Sequence, residues 1–115
     1  MFTRAIVRPP APNFSAGLTT AGLGAPVYEL ALKQHDAYCA ALEQCGLKLT
    51  SLEPDRNYPD STFVEDVAVL FEAIPDGRAN APMSTSDCCA LLTRPGALSR
   101  AGEVVSMRAL LADYF

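Results

Sequence analysis

Three carboxylates, those of Asp60, Glu65 and Asp66, lie within seven residues of one another. Glu65 and Asp66 run directly into the apolar segment 67–71, where an ionised carboxylate is costly to bury without a partner. They therefore need a cation, a metal ion or water. Without a functional role, the simplest interpretation is that Asp60 caps a turn and that the other two carboxylates lie at a solvated strand end. For such a pattern in an arbitrary sequence, this interpretation is favoured. The residues alone leave both a cation-binding site and a solvated strand end open.

The charge balance of the chain favours a cationic ligand over a polyanion. Thirteen acidic and nine basic side chains give the 115 residues a net charge of −4, which argues against the phosphate-binding surface that nucleic acid requires. No apolar run approaches the roughly 20 residues of a membrane-spanning helix, and the first ten residues lack the apolar stretch of a signal peptide. We therefore expect a cytoplasmic protein that binds neither nucleic acid nor a membrane.

The cysteines and the single histidine form no recognisable catalytic or metal site. None of the four cysteines, Cys39, Cys45, Cys88 and Cys89, belongs to a CxxC pair, so reduced thiols are the simplest interpretation. His35 and Cys39 lie four residues apart and could face one metal ion, but two ligands do not complete a tetrahedral zinc site. We expect ordinary helix packing there, and no metal or cofactor.

Apolar periodicity and turn-forming residues predict alternating strands and helices. The predicted strands are 3–8, 47–52, 67–71 and 88–93. Helical spacing predicts a first helix from Pro26 to Cys45, followed by Gly46, and a second helix from Ser99 as its N-cap to Tyr114. The expected apolar stripes are Val27, Leu30, Tyr38, Ala41, Leu42 and Cys45 in the first helix, and Val104, Met107, Leu111 and Tyr114 in the second.

The segments between these elements add three expectations. Residues 9–26 are rich in proline and glycine and predict a long loop, and residues 74–87 predict a flexible connection. Segment 67–71 is apolar on both faces, as expected of a covered central strand. Residues 5–9 and 91–95 share an apolar run followed by Arg-Pro, which hints at a repeated strand-loop-helix unit.

The acidic segment and its flanks resemble the dimethylarginine dimethylaminohydrolases of the pentein superfamily. The matching residues are Gly17 to Thr19, Gln34 to Tyr38, Tyr58 to Val67, Thr93 to Ala97, Ser99 and Arg100. The motif Phe63-Val64-Glu65-Asp66 is closer to this family than to arginine deiminases or amidinotransferases, which share the fold. The segment from about Glu72 to Ser86 looks longer than the corresponding family turn, which leaves the neighbouring strand register open.

This resemblance implies both a fold and the roles of five residues. The fold is α/β, an incomplete pentein-type β/α propeller with one ββαβ-like unit plus part of a second, in a single domain over residues 1–115. Asp66 would pair with the substrate guanidinium, and Arg100 would hold its α-carboxylate. Asp60 and the Leu18 backbone carbonyl would receive the α-ammonium. Glu65 would line the same pocket.

The shared role of two adjacent acidic residues makes a local prediction about the backbone. Successive residues of a regular strand point to opposite faces of the sheet. Glu65 and Asp66 therefore reach one ligand only if the backbone turns or bulges. We expect an irregular strand start at these two positions.

The resemblance also implies an activity that this chain does not complete. In the family, a cysteine thiolate attacks the guanidinium carbon and a histidine-activated water releases citrulline. His35 and the four cysteines match neither role. The expectation is the amino-terminal, substrate-binding part of a hydrolase that converts methylated arginine to citrulline and a methylamine, inactive alone. The alternatives are a non-catalytic module for a guanidino ligand, a self-associating fragment, and a site completed by another chain.

Overall fold

A computed structural model describes residues 2–72 and 88–114. The predicted connection at 74–87 lies outside the described residues. The described elements, in chain order, are β1 (Arg4–Val7), α1 (Tyr28–Gln44), β2 (Lys48–Ser51), β3 (Ala68–Glu72), β4 (Cys88–Leu92) and α2 (Val104–Leu111). The same described residues also form short 3₁₀ turns at Phe14–Ala16, Val64–Asp66 and Leu98–Arg100. Neither of the described helices combines the length and apolarity needed to cross a membrane.

The chain divides into two compact units, Met1–Val64 and Glu65–Phe115, and each is described by itself. In the first unit, β1 and β2 pair in parallel, with Arg4 opposite Lys48. Parallel strands need a crossover connection, and α1 provides it and packs on β2. The single domain expected for residues 1–115 stays a prediction.

The sequence predicts the C-terminal end of α1 correctly and the N-terminal end less well. The predicted start at Pro26 is wrong, because Val27 has an extended backbone with φ −87° and ψ 115° and is the N-cap of a helix that begins at Tyr28. The C-terminal end is confirmed. Cys45 is the C-cap, and Gly46 has a φ of +83°, the left-handed conformation that glycine adopts without a steric cost.

The packed face of α1 is not the predicted apolar stripe. Val27, Leu30 and Tyr38 are exposed, at 60%, 52% and 57% of their surface. The half-buried residues are Tyr28, Ala31, Leu32, His35, Cys39 and Leu42. Their steps of three and four residues follow one helix face more regularly than the predicted set does. The prediction failed because it selected apolar residue types, whereas the packed face includes a histidine.

The second unit contains an antiparallel ladder. β3 and β4 pair from Ala68 opposite Leu92 to Glu72 opposite Cys88, so the predicted strands 67–71 and 88–93 are confirmed within one residue. The expectation of a covered central strand is wrong, because side chains such as Val69 in β3 are half exposed. The ladder has two strands in the described part of the chain, and large apolar side chains of both strands, Val69 and Leu91 among them, are exposed.

The second predicted helix starts later than expected. Ser99 is not its N-cap but lies in the 3₁₀ turn Leu98–Arg100, and α2 begins at Val104 with Glu103 at the N-cap position. The N–H of Glu103 donates to the Arg100 carbonyl at 3.0 Å, an i to i+3 bond that belongs to a tighter turn than an α-helix.

The expected stripe of α2 is correct in its centre and wrong at its end. Met107 and Leu111 are 3% and 4% exposed and form the core of this unit with Val67, and α2 packs on β4. Tyr114 lies beyond the end of α2 and is exposed. The repeated strand-loop-helix order is present in both units: β1 and β4 are each followed by Arg-Pro, a 3₁₀ turn and a helix.

Candidate functional site

The backbone is irregular at the two adjacent acidic residues, as predicted. Glu65 and Asp66 lie in the 3₁₀ turn Val64–Asp66, directly before β3, and both are exposed. Thr93, just past the end of β4, fixes this turn with two hydrogen bonds. Its Oγ1 donates to the Asp66 carbonyl at 2.6 Å, and its N–H donates to the Val67 carbonyl at 3.0 Å. The turn is therefore held by the ladder that follows it.

Asp66 and Arg100 form an ion pair. Arg100 Nη1 lies 2.6 Å from Asp66 Oδ2, and the two side chains are 14% and 50% exposed. This distance is short even for a charge-assisted hydrogen bond. The structure thus brings together two of the five residues that the sequence singled out. In the structure Asp66 and Arg100 bind each other. In the predicted roles, Asp66 binds the guanidinium of a ligand and Arg100 binds its α-carboxylate.

Glu103 is the second partner of Arg100, and the prediction of site residues missed it. Its carboxylate is 2% exposed and accepts the Arg100 Nε–H at 3.0 Å and the Nη2–H at 2.8 Å. Hydrogen bonding to Glu103 raises the pKa of Arg100; burial opposes this, and Asp66 adds to it. The i to i+3 spacing from Arg100 to Glu103 is the signal of this pair that the sequence offers.

Asp60 is a buried carboxylate in the first unit, 7% exposed. Both of its oxygens accept the backbone N–H of Leu18 at 3.1 Å. The sequence therefore predicted the right neighbours, but the contact runs through the N–H of Leu18, while the predicted role uses its carbonyl. Gly17 makes the approach possible, because a Cβ at this position would overlap the Asp60 carboxylate and lie 3.2 Å from the Phe14 carbonyl oxygen.

A cavity of about 370 Å³ lies against this carboxylate. Its walls come mainly from the loop 14–26, with Asp60 and Phe63 from the acidic segment. The Phe14 and Phe63 rings pack with centroids 6.3 Å apart. The cavity therefore has an apolar lining and one acidic group, which suits a small ligand with a positive charge.

His35 and Cys39 make a side-chain contact in α1, with 3.4 Å between Nε2 and Sγ. Burial lowers the pKa of His35, with Asp36 opposing, and burial raises the pKa of Cys39, aided by Asp36 and Glu43. Both pKa shifts favour the uncharged imidazole and thiol, the opposite of what activates a cysteine nucleophile. Across residues 2–72 and 88–114, no three metal-binding side chains cluster. All four cysteines are free thiols.

No family model matches the sequence, but individual proteins do. An N(G),N(G)-dimethylarginine dimethylaminohydrolase of Pseudomonas aeruginosa is 44% identical over 103 residues, which are 90% of this chain and 35% of that protein. One from Streptomyces coelicolor is 36% identical over 110 residues, 95% of this chain and 37% of that protein. This chain is homologous to the dimethylarginine dimethylaminohydrolases. The resemblance stated on its motifs is therefore confirmed.

Solved dimethylarginine dimethylaminohydrolases also match the whole chain. A mutant of the Pseudomonas aeruginosa enzyme in complex with citrulline has a TM-score of 0.81 and 38% identity, and 100% of this chain covers 39% of it. A variant captured as an adduct with S-methyl-L-thiocitrulline gives the same values. The α/β fold is confirmed, while the incomplete propeller stays a prediction. The chain spans between 35% and 39% of the length of these relatives.

The residues expected to bind a dimethylarginine dimethylaminohydrolase substrate fall into two groups. Leu18 and Asp60 are in contact in the first unit, and Asp66 and Arg100 are in contact in the second. Glu65 is exposed beside Asp66. The common pocket expected for all five residues stays a prediction.

Proposed function

We propose that this chain is the substrate-binding part of a hydrolase that converts methylated arginine to citrulline and a methylamine. The proposal is supported by homology to dimethylarginine dimethylaminohydrolases and by solved structures of such enzymes in complex with citrulline and as an adduct with S-methyl-L-thiocitrulline. One observation of this chain carries it: Asp66 already binds a guanidinium group, that of Arg100, at 2.6 Å.

Asp66 would bind the guanidinium of the substrate. The Arg100 side chain and a methylated arginine carry the same planar cation, so a carboxylate that accepts one has the charge and geometry to accept the other. Asp66 is half exposed, which allows a dissolved ligand to reach it. Glu65, exposed in the same turn, would add negative charge beside it.

Arg100 would bind the α-carboxylate of the substrate. A guanidinium presents several N–H donors in one plane and suits carboxylate better than a lysine ammonium does. The two carboxylates already bound to Arg100 show which chemistry this side chain accepts.

Asp60 and the Leu18 carbonyl would receive the α-ammonium. Asp60 is a carboxylate at an otherwise mainly apolar cavity of about 370 Å³, where a cation is attracted more strongly than at an exposed surface. The Leu18 N–H holds the carboxylate in place.

The covalent step would require residues that this chain does not supply. A thiolate nucleophile needs a lowered cysteine pKa, whereas burial raises the pKa of Cys39. No motif around the four cysteines or His35 matches the catalytic ones. We therefore propose that the chain binds substrate without turning it over.

Calorimetry with asymmetric dimethylarginine and with citrulline tests this proposal. Citrulline has a neutral ureido group, so the chain should bind dimethylarginine more tightly. Asp66→Asn should abolish the preference for dimethylarginine over citrulline. Glu29→Gln removes a negative charge at an exposed position of α1 and should leave this preference intact. Equal affinity for the two ligands would contradict the assignment of Asp66. No heat with either would mean that residues of a longer protein or a second chain are required.

A second candidate function is self-association: the chain would act only after it binds to further copies of itself. The β3–β4 ladder exposes large apolar side chains, among them Val69, Phe71 and Leu91, at 50%, 46% and 60% of their surface. Soluble proteins rarely leave such patches uncovered, and open ladder edges accept further strands. Sedimentation analysis between 5 and 500 μM, roughly the range in which weak dimers form, tests it. A monomer at every concentration would exclude self-association.

A further inference from the structure

We infer that Glu103 is a positioning residue for ligand binding, which holds Arg100 so that its outer nitrogen Nη1 is presented to the carboxylate of a ligand. The inference rests on the proposed role of Arg100. It assigns a specific task to a residue that neither the motifs nor the charge pattern of the sequence had singled out.

Arg100 donates to the carboxylates of Glu103 and Asp66 through different nitrogens. Nε and Nη2 donate to Glu103 at 3.0 and 2.8 Å, and Nη1 donates to Asp66 at 2.6 Å. A two-point contact along one edge fixes the plane of a guanidinium, which a single contact cannot do. Glu103 therefore sets the orientation of the group, and Nη1 is the nitrogen directed away from it.

The two carboxylates differ in how easily they can release Arg100. The Glu103 side chain is 2% exposed, so its release would leave an uncompensated buried charge, a costly state. The Asp66 side chain is 50% exposed and becomes hydrated when released, at little cost. Asp66 is thus the exchangeable partner. The carboxylate of a ligand replaces Asp66 at Nη1, while Glu103 keeps its hydrogen bonds with Nε and Nη2.

The backbone around Glu103 makes it a rigid support. The Glu103 N–H donates to the carbonyl of Arg100 at 3.0 Å, and the Glu103 carbonyl accepts the Ser106 hydroxyl at 3.3 Å. The helix that follows is anchored by the buried side chains Met107 and Leu111. A binding residue is held accurately when its supporting partner is itself fixed by packing and hydrogen bonds.

Helix capping does not account for the burial of Glu103. Although Glu103 occupies the N-cap position of α2, its side chain makes no capping hydrogen bond. A residue selected as a cap would direct its oxygen to the N–H groups of the first turn. The carboxylate is directed to Arg100 instead.

The first experiment needs no ligand and measures the Nε–H signal of Arg100 by ¹⁵N NMR in the full 115-residue chain. Glu103→Gln should make exchange of this proton with water about tenfold faster, which corresponds to the loss of a charge-assisted hydrogen bond. Asp66→Asn should leave it slow. Glu103→Asp, one methylene shorter but still charged, serves if the glutamine variant does not fold, and should also speed exchange. Unchanged exchange in a folded Glu103 variant would overturn the inference.

The second experiment compares dimethylarginine with its decarboxylated analogue by calorimetry. Glu103→Gln should weaken binding of dimethylarginine about tenfold and leave binding of the analogue unchanged. Equal loss for both ligands would indicate a structural role and overturn the inference. If neither ligand binds the unaltered chain, ligand binding requires residues of a longer protein or a second chain, and the NMR comparison still decides whether Glu103 orients Arg100.

Discussion

The two units of the chain each hold a buried carboxylate, and a different kind of hydrogen-bond donor contacts each one. Asp60 in the first unit is 7% exposed and accepts a backbone N–H from Leu18. Glu103 in the second unit is 2% exposed and accepts hydrogen bonds from the side chain of Arg100. A backbone donor is placed by the course of the loop, whereas a side-chain donor brings a full charge.

This difference predicts different sensitivities. The Asp60 contact depends on the shape of the loop around Gly17, where there is no room for a Cβ. The Glu103 contact depends on the charge of a single residue. Steric changes should therefore damage the first unit, and changes of charge should damage the second.

The largest effect is expected from Arg100→Ala, which leaves the Glu103 carboxylate buried and uncompensated. The free energy of unfolding should fall by about 3 kcal/mol, the size of loss seen when one partner of a buried pair is removed. Urea denaturation measures it. Arg108→Ala, at an exposed position of α2, is the matched control and should change stability by less than about 0.5 kcal/mol.

The double variant Arg100→Ala/Glu103→Gln sharpens this result. Neutralising the stranded carboxylate should recover part of the lost stability. Equal losses for Arg100→Ala and Arg108→Ala would show that the second unit does not depend on this ion pair.

Gly17→Ala should have the second largest effect. The added methyl group overlaps the Asp60 carboxylate, and overpacking of this kind costs about 1–3 kcal/mol. Gly17 has a φ of −61°, so the backbone itself accepts alanine and the loss reports the steric overlap. Urea denaturation and hydrogen exchange of the Leu18 amide measure it.

Gly22→Ala is the control for this substitution, because a Cβ there meets nothing within 4 Å. If the two variants are equally stable, the Asp60 contact does not depend on loop shape, and the contrast between the units is lost.

Asp66→Asn should have a small effect on stability. The ion pair is exposed on the aspartate side, and such pairs contribute about 1 kcal/mol or less. Urea denaturation at low and at molar salt checks this, because salt screens exposed pairs and should remove the difference between the variant and the unaltered chain. A larger, salt-independent loss would place Asp66 with Glu103 as a structural partner.

The smallest expected effect is that of His35, in the first unit, on the pH dependence of the free energy of unfolding. Burial holds the pKa of His35 below its ordinary value of 6.5, so the unfolded chain takes up the proton first and stability falls as the pH drops below about 6.5. His35→Gln should flatten this dependence between about pH 7.5 and 5.5, where ordinary carboxylates do not titrate. Parallel pH profiles of unfolding for the two proteins would contradict the assignment. His35 is the single histidine, so the comparison is unambiguous.

The sequence predicted those features that depend on local residue patterns. Prolines and apolar runs placed all four described strands within one or two residues, and Gly46 located the end of α1. The irregular backbone at Glu65 and Asp66 was expected from the shared ligand role that the family resemblance implies, combined with the alternation of side chains in a strand. The strands and the end of α1 need only neighbouring residues to be explained.

Features that depend on tertiary contacts were less accessible. Leu30 is exposed and His35 is on the packed face of α1 because the position of β2, not hydropathy, selects that face. Glu103 was missed because its burial depends on the conformation of Arg100 in a turn that the sequence assigned to a longer helix. A buried ion pair can be predicted only when the positions of both side chains in the fold are known.

The position of Thr93 has a consequence for insertions in the chain. Its two hydrogen bonds pin the start of β3 to the end of β4, while Glu72 and Cys88 pair at the opposite end of the ladder. An insertion directly after Glu72 therefore enters the chain at the end of the ladder away from Asp66. Natural variation or deliberate grafting there, such as a tag or a reporter peptide, should be tolerated without shifting the Asp66 carboxylate from its partner.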